Sequence, residues 1–191
     1  MTDLSFCPDE QMQTLLSLVD TEEAQGRAML ARLMREWPQD ARLHFLEGSL
    51  RAAARDYAEG ARAMRRAIDI APDFTLARFQ LGFLQLTNGE PIAAQESWGP
   101  LFGLAKSSFL RIFAEGLCHM IRDEFAQAID LLEQGIVLNQ DVPPLNRDMD
   151  LILTELRALR EGQAGASDDR GEPLSAAQLL LQQSSFKSTR H

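Results

Sequence analysis

Cys118 and His119 stand side by side, a pair of residue types able to ligate a metal or to form a nucleophile–base couple. Adjacent residues on a helix point about 100° apart, so the two side chains do not converge on one atom. No second cysteine or histidine lies at ligand spacing. Cys118 falls at an apolar register position and reads as a structural core cysteine. The only titratable side chains that an acid–base site could gather on the inner face of the helical region are His44, Glu47, Glu115 and His119. His191 ends the chain, and Asp168-Asp169 sit in a stretch without large apolar residues, where no fixed geometry is expected. No G-x-S-x-G, P-loop or G-x-G-x-x-G is present. The expectation is therefore a non-catalytic chain with no catalytic residues, no metal and no cofactor.

The elements that would carry these residues are set by a repeat. Gly48, Gly82 and Gly116 lie 34 residues apart, as do Phe45, Phe79 and Phe113. The same register links Gly60, Ala94 and Ala128, and then Ala67, Leu101 and Gly135. A fixed period of this length marks stacked supersecondary units. Each unit reads as two helices. In one, Leu76 to Asn88 ends at Asn88-Gly89, a helix-stop signal, and a second helix opens at Pro91 and runs to Leu104. A mid-helix glycine costs roughly 1 kcal/mol against alanine. Its recurrence predicts close helix crossing, with the small residues Gly60, Ala94 and Ala128 as the facing surface. Gly99 and Gly103 read as a further close-packing pair.

These residues resemble the tetratricopeptide repeat family. Repeat 41–74 carries Gly48, Tyr57, Gly60, Ala67 and Pro72; repeat 75–108 carries Leu81-Gly82, Gly89, Ala94 and Trp98; repeat 109–142 carries Gly116, Phe125, Ala128 and Gly135. A degenerate unit at 7–40 keeps Gly26, Leu30, Leu33 and Pro38 but has Thr14 at the glycine position. Departures include His44, Arg78 and Ile112 where an aromatic is usual near the start of the first helix, and Glu47 and Glu115 before the glycine. The resemblance implies an all-α superhelical solenoid of about four helix pairs, closed by a capping helix.

Local signals place the remaining boundaries. Residues 1–6 read as loose. A first helix spans Glu10 to Val19, and Thr21 is the expected N-cap of the second. Asp40, Asp56, Ser107 or Ser108, and Asp123 are expected caps further on. After Pro143-Pro144 a capping helix over 145–161 carries Met149, Ile152, Leu153, Leu156 and Leu159 on one stripe. Residues 162–173 read as a flexible linker. Beyond it, Ser175 and Gln178 form a capping box flanked by Leu174 and Leu179. A short helix there, with Leu174, Leu179, Leu180, Leu181 and Phe186 as its apolar side chains, is expected to fold only when docked.

The net charge of −9 disfavours nucleic acid and anionic membranes as partners. It is unevenly spread: residues 1–40 carry eight acids against three bases, and 109–142 carry six against two. Arg55, Arg62, Arg65 and Arg66 concentrate positive charge on the second helix of repeat 41–74. They read as a solvated face, with contact to an acidic partner as the alternative. No apolar run reaches the ~18 residues of a membrane span, and no leader peptide is visible. Two cysteines make no disulfide framework, so a cytoplasmic location is expected.

The family resemblance also implies where a partner would lie. First-helix positions facing ligand in the family correspond here to Leu15 and Leu18; Phe45 and Ser49; Phe79, Phe83 and Leu86; Phe113, Leu117 and Met120. That set describes an apolar groove for an apolar or amphipathic peptide or helix, as in an adaptor, assembly factor or secretion-type chaperone. The competing reading of the same phenylalanines is helix–helix core. A different class of function is a self-assembly module whose groove is filled by its own C-terminal helix, in cis or as a homodimer.

Overall fold

The computed structural model describes residues 6–165. The chain is all-α, with no strand among the described residues. The helices are α1 (Asp9–Thr21), α2 (Glu23–Glu36), α3 (Ala41–Ala53), α4 (Tyr57–Ile70), α5 (Thr75–Thr87), α6 (Pro91–Trp98), α7 (Phe109–Ile121), α8 (Phe125–Leu138) and α9 (Pro143–Gly165). A 3-10 turn, Gly99–Gly103, follows α6. Helices α1 and α2, α3 and α4, and α7 and α8 pack as pairs, and α9 packs on α8. By its contacts the chain divides into two compact units, meeting between Leu81 and Gly82 inside α5.

In the first unit the core joins Cys7, Leu15, Leu30, Leu33 and Leu43, with Met12, Val19, Met34 and Trp37 packed around them. In the second unit Trp98, Leu101, Phe113, Leu117, Met120 and Leu132 are among the largest sealed side chains. Leu145, Met149, Ile152, Leu153 and Leu156 of α9 are also buried. Their spacing is the one expected of a capping helix.

The recurring glycine lies beneath a large side chain of the second helix. A methyl group at Gly48 would come within 2.6 Å of Met64 Cγ, and one at Gly116 within 3.0 Å of Leu132 Cδ2. At Gly82 it would overlap the Trp98 indole, lying 2.6 Å from Cδ1. Met64, Trp98 and Leu132 themselves recur every 34 residues. A large side chain on the second helix therefore lies over the glycine, and at Gly48 the small residue Gly60 also comes close through its carbonyl. Gly99 and Gly103 correct the small-residue packing idea outright, because a methyl group at either would meet nothing. Pro100 explains why α6 stops at Trp98 rather than reaching Leu104: it lacks the N–H and clashes with the carbonyl four residues back.

Three corners share one geometry. Arg55, Gly89 and Asp123 have φ of 63°, 83° and 59° and lie 34 residues apart. In each corner the next residue's N–H reaches back five residues: Asp56 to Arg51 O, Glu90 to Gln85 O and Glu124 to His119 O, at 2.9, 2.8 and 3.0 Å. These paired bonds close the helix C-terminus with one left-handed residue. Asp123 is thus the left-handed corner residue, and Glu124 takes the N-cap position expected of it. Only Gly89 suits the conformation without cost. Arg55→Gly is expected to raise stability by about 0.5–1 kcal/mol, since a left-handed L-residue costs ~1–2 kcal/mol against glycine's larger chain entropy; thermal unfolding measures it.

The first pair turns differently. Thr21 is inside α1, its hydroxyl donating to Ser17 O at 2.8 Å, and Glu22 alone joins α1 to α2. The carboxyl-terminal corner is knotted by Asn139, which is 2% exposed. Its Oδ1 accepts from Val142 N–H at 2.9 Å, and its Nδ2 donates to Val142 O and Asn146 Oδ1, both at 2.8 Å. Asn139→Ala should cost about 2 kcal/mol in urea unfolding, because it strands buried groups at the start of α9. Helix α9 opens at Pro143 and runs to Gly165, so it takes in residues 162–165 that composition assigns to a linker. A single glycine, Gly162, costs only roughly 1 kcal/mol inside a helix.

Candidate functional site

The side chains with the chemistry for catalysis are each committed to a local structural contact. His44 Nε2 donates to Pro38 O at 2.9 Å. Arg78 Nε does the same to Pro72 O at 3.0 Å. Two of the positions where the repeat family carries an aromatic thus hold polar groups that tie down the preceding corner. Glu47 accepts from Arg51 Nε, and Glu115 from Arg111 Nε, both at 2.7 Å. His119 Nδ1 lies 2.6 Å from Glu124 Oε2, which also accepts from Arg122 Nε at 2.9 Å. Those hydrogen bonds, from Arg122 first and then His119, hold the Glu124 carboxyl below its ordinary range. Cys7 and Cys118 are buried, and burial pushes both thiols up, away from thiolate chemistry. Among the described residues no three His, Cys, Asp or Glu side chains are grouped to hold a metal ion.

One polar cluster is deeply built in. Asp40 is fully buried. Its carboxylate accepts from Cys7 N–H at 2.9 Å, Arg42 N–H at 3.0 Å and Arg42 Nη2 at 2.8 Å. Arg42 Nη2 also donates to Cys7 O at 2.7 Å, and Nη1 to Asp9 Oδ1 at 3.0 Å. Burial alone would raise the Asp40 carboxyl, but the Arg42 guanidinium and the two backbone N–H donors outweigh it and hold it below its ordinary value. Asp40 caps α3, as its position in the sequence implies. Its second job, clasping the segment before α1 onto the start of α3, has no signature in the residue pattern. The cluster fixes the chain, clasping the segment before α1 to the start of α3.

The apolar first-helix set divides in two. Leu15, Phe79, Leu86, Phe113, Leu117 and Met120 are each no more than 2% exposed and belong to the core. Phe113 illustrates why: it covers Gly135 of α8, where a methyl group would collide with its ring, and stacks edge-on against Phe109 at 6.0 Å. A side chain without accessible surface cannot meet a partner unless the helices move. Leu18, Phe45, Ser49 and Phe83 are half-buried and keep accessible surface. Phe45 lies 5.1 Å from the Phe74 ring, centroid to centroid. The docking-tail residues Leu174, Leu179, Leu180, Leu181 and Phe186 lie outside the described residues.

No helix among the described residues is long and apolar enough to cross a membrane. No protein-family model and no curated protein sequence matches the chain. Among solved structures, one titled "MamA RS-1 ArsTM double mutant" superposes with a TM-score of 0.56 at 12% identity, covering 85% of this chain and 99% of that one. At such identity the likeness is one of fold, and it places this chain among the helical solenoids of tetratricopeptide-repeat type.

Proposed function

We propose that the chain is a non-catalytic protein-interaction module whose first helices present partly accessible apolar side chains to an apolar or amphipathic peptide or helix. One observation carries this reading. Leu18 on α1, Phe45 and Ser49 on α3, and Phe83 on α5 keep accessible surface at family ligand positions, while His44 and Glu47 of α3 and Glu115 and His119 of α7 are engaged in hydrogen bonds within the chain. Large apolar groups held open on packed helices fit helix-in-groove recognition. The partners supported are proteins or peptides, in an adaptor, assembly or chaperone role; the solved structure of like fold lends the scaffold and no ligand.

A photo-crosslinking amino acid placed at Phe45 or Phe83 tests the reading in the organism's own cells. The expected result is a defined partner adduct at each position, absent when the same group is placed at exposed Ile92. Equal labelling at all three positions, or none, would overturn it.

A further inference from the structure

We infer that the first unit carries a second docking position, separate from the apolar set above, that takes an acidic stretch of a partner polypeptide. Met34 of α2, His44, Glu47 and Arg51 of α3, and Glu59, Arg62, Ala63 and Arg66 of α4 line a cleft of about 370 Å³. Arg62 and Arg66 are one helical turn apart, so their guanidinium groups rise on one face of α4. Both residues are exposed.

The charge balance of the lining decides the ligand. Arg51 is shared between Glu47 and Asp56. Arg62 pairs with Glu59 on its own helix, with the Arg62 side chain 76% exposed. Among the described residues Arg66 reaches only the neutral amide of Gln39, at 3.5 Å. Three guanidinium groups thus face two carboxylates within the cleft, and the excess cation is Arg66. This occurs in a chain of net charge −9, within a stretch, residues 41–74, that holds six arginines against five acids.

Exposed ion pairs contribute little and exchange readily. An incoming carboxylate can therefore take Arg66 outright and compete with Glu59 for Arg62, gaining the fork-shaped recognition that arginine offers. Met34 and Ala63 supply an apolar floor that a bare ion would leave uncovered but an aliphatic side chain next to an acid would fill. Nucleic acid shares the negative charge, but its phosphates bring no aliphatic side chain to cover Met34 and Ala63. The occupant is an acidic peptide segment with interspersed aliphatic residues.

The test uses the full chain and a short fluorescein-labelled peptide of alternating glutamate and leucine, followed by anisotropy. Binding is expected, with a loss of about tenfold or more in Arg62→Gln/Arg66→Gln and no loss in Arg147→Gln/Arg160→Gln, two exposed arginines of α9. Should the double variant fail to fold, Arg66→Gln alone serves, since among the described residues the Arg66 side chain is exposed and touches no more than the amide of Gln39. A severalfold loss in that single variant supports the proposal. It is overturned if the peptide does not bind at about millimolar concentration, if both double variants lose affinity equally, or if a lysine–leucine peptide binds as well. Complete displacement by inorganic phosphate would show an anion site without peptide recognition and would overturn it too. The photo-crosslinks at Phe45 and Phe83 are expected to be unchanged in Arg66→Gln, so either docking position can fail alone.

Discussion

Trp98→Ala is expected to lower the unfolding free energy by about 3–5 kcal/mol, as for other fully buried large aromatics. Trp98 has no exposed surface, and its indole occupies the room left by the missing side chain of Gly82. The converse change, Gly82→Ala, forces a methyl into that indole and should cost about 1–3 kcal/mol, despite alanine's better helix propensity. The two sites are coupled. In a Trp98→Leu background, Gly82→Ala should cost clearly less, because leucine is what the equivalent position holds over Gly116, where a methyl would be only slightly too close. A urea-unfolding double-mutant cycle measures this coupling, expected at about 1 kcal/mol or more. Additive effects would mean that the glycine is there for some reason other than the tryptophan.

Asp40→Ala should cost about 3 kcal/mol at neutral pH. The change removes an N-cap, leaves the buried Cys7 N–H without its acceptor, and strips Arg42 of its nearest carboxylate. The magnitude stays below that of a fully buried pair because the Arg42 side chain is 39% exposed and can rehydrate. The pH dependence carries a sign. The folded carboxyl titrates below its unfolded value of ~3.9, so the unfolded chain takes up its proton first as pH falls. The stabilisation is fully present above that unfolded value and is lost as pH drops through the lower, folded one. The gap between wild type and Asp40→Ala should therefore be constant from neutrality to about pH 5 and narrow only in acid. Unfolding by urea at a series of pH values checks it; a gap that is unchanged in acid would remove the carboxylate from the account.

The period of 34 was enough to set the helix pairs. Glycines, phenylalanines and small residues recurring together fix where each helix falls, because every unit must hide its apolar side against a neighbour. Local chemistry also placed the Asp40 cap, the Asn88-Gly89 stop and the stripe of α9. Each of these depends on residues within a turn or two of one another.

What the period could not supply is which way a repeating position faces, and who meets it. Phe45 and Phe113 share one register, yet Phe45 keeps accessible surface and Phe113 is sealed over Gly135. Phe113 lies over Gly135, whereas Phe45 lies beside Phe74, with 5.1 Å between ring centroids. The Asp40 clasp joins Cys7 across 33 residues, and the cleft gathers Met34, Arg51 and Arg66 from three helices. The sequence by itself determined a stack of helical pairs, since local propensity and apolar spacing act along the chain. Only the tertiary structure decided which of those apolar groups remain open and which charges stand together, since both are settled by how neighbouring helices cross.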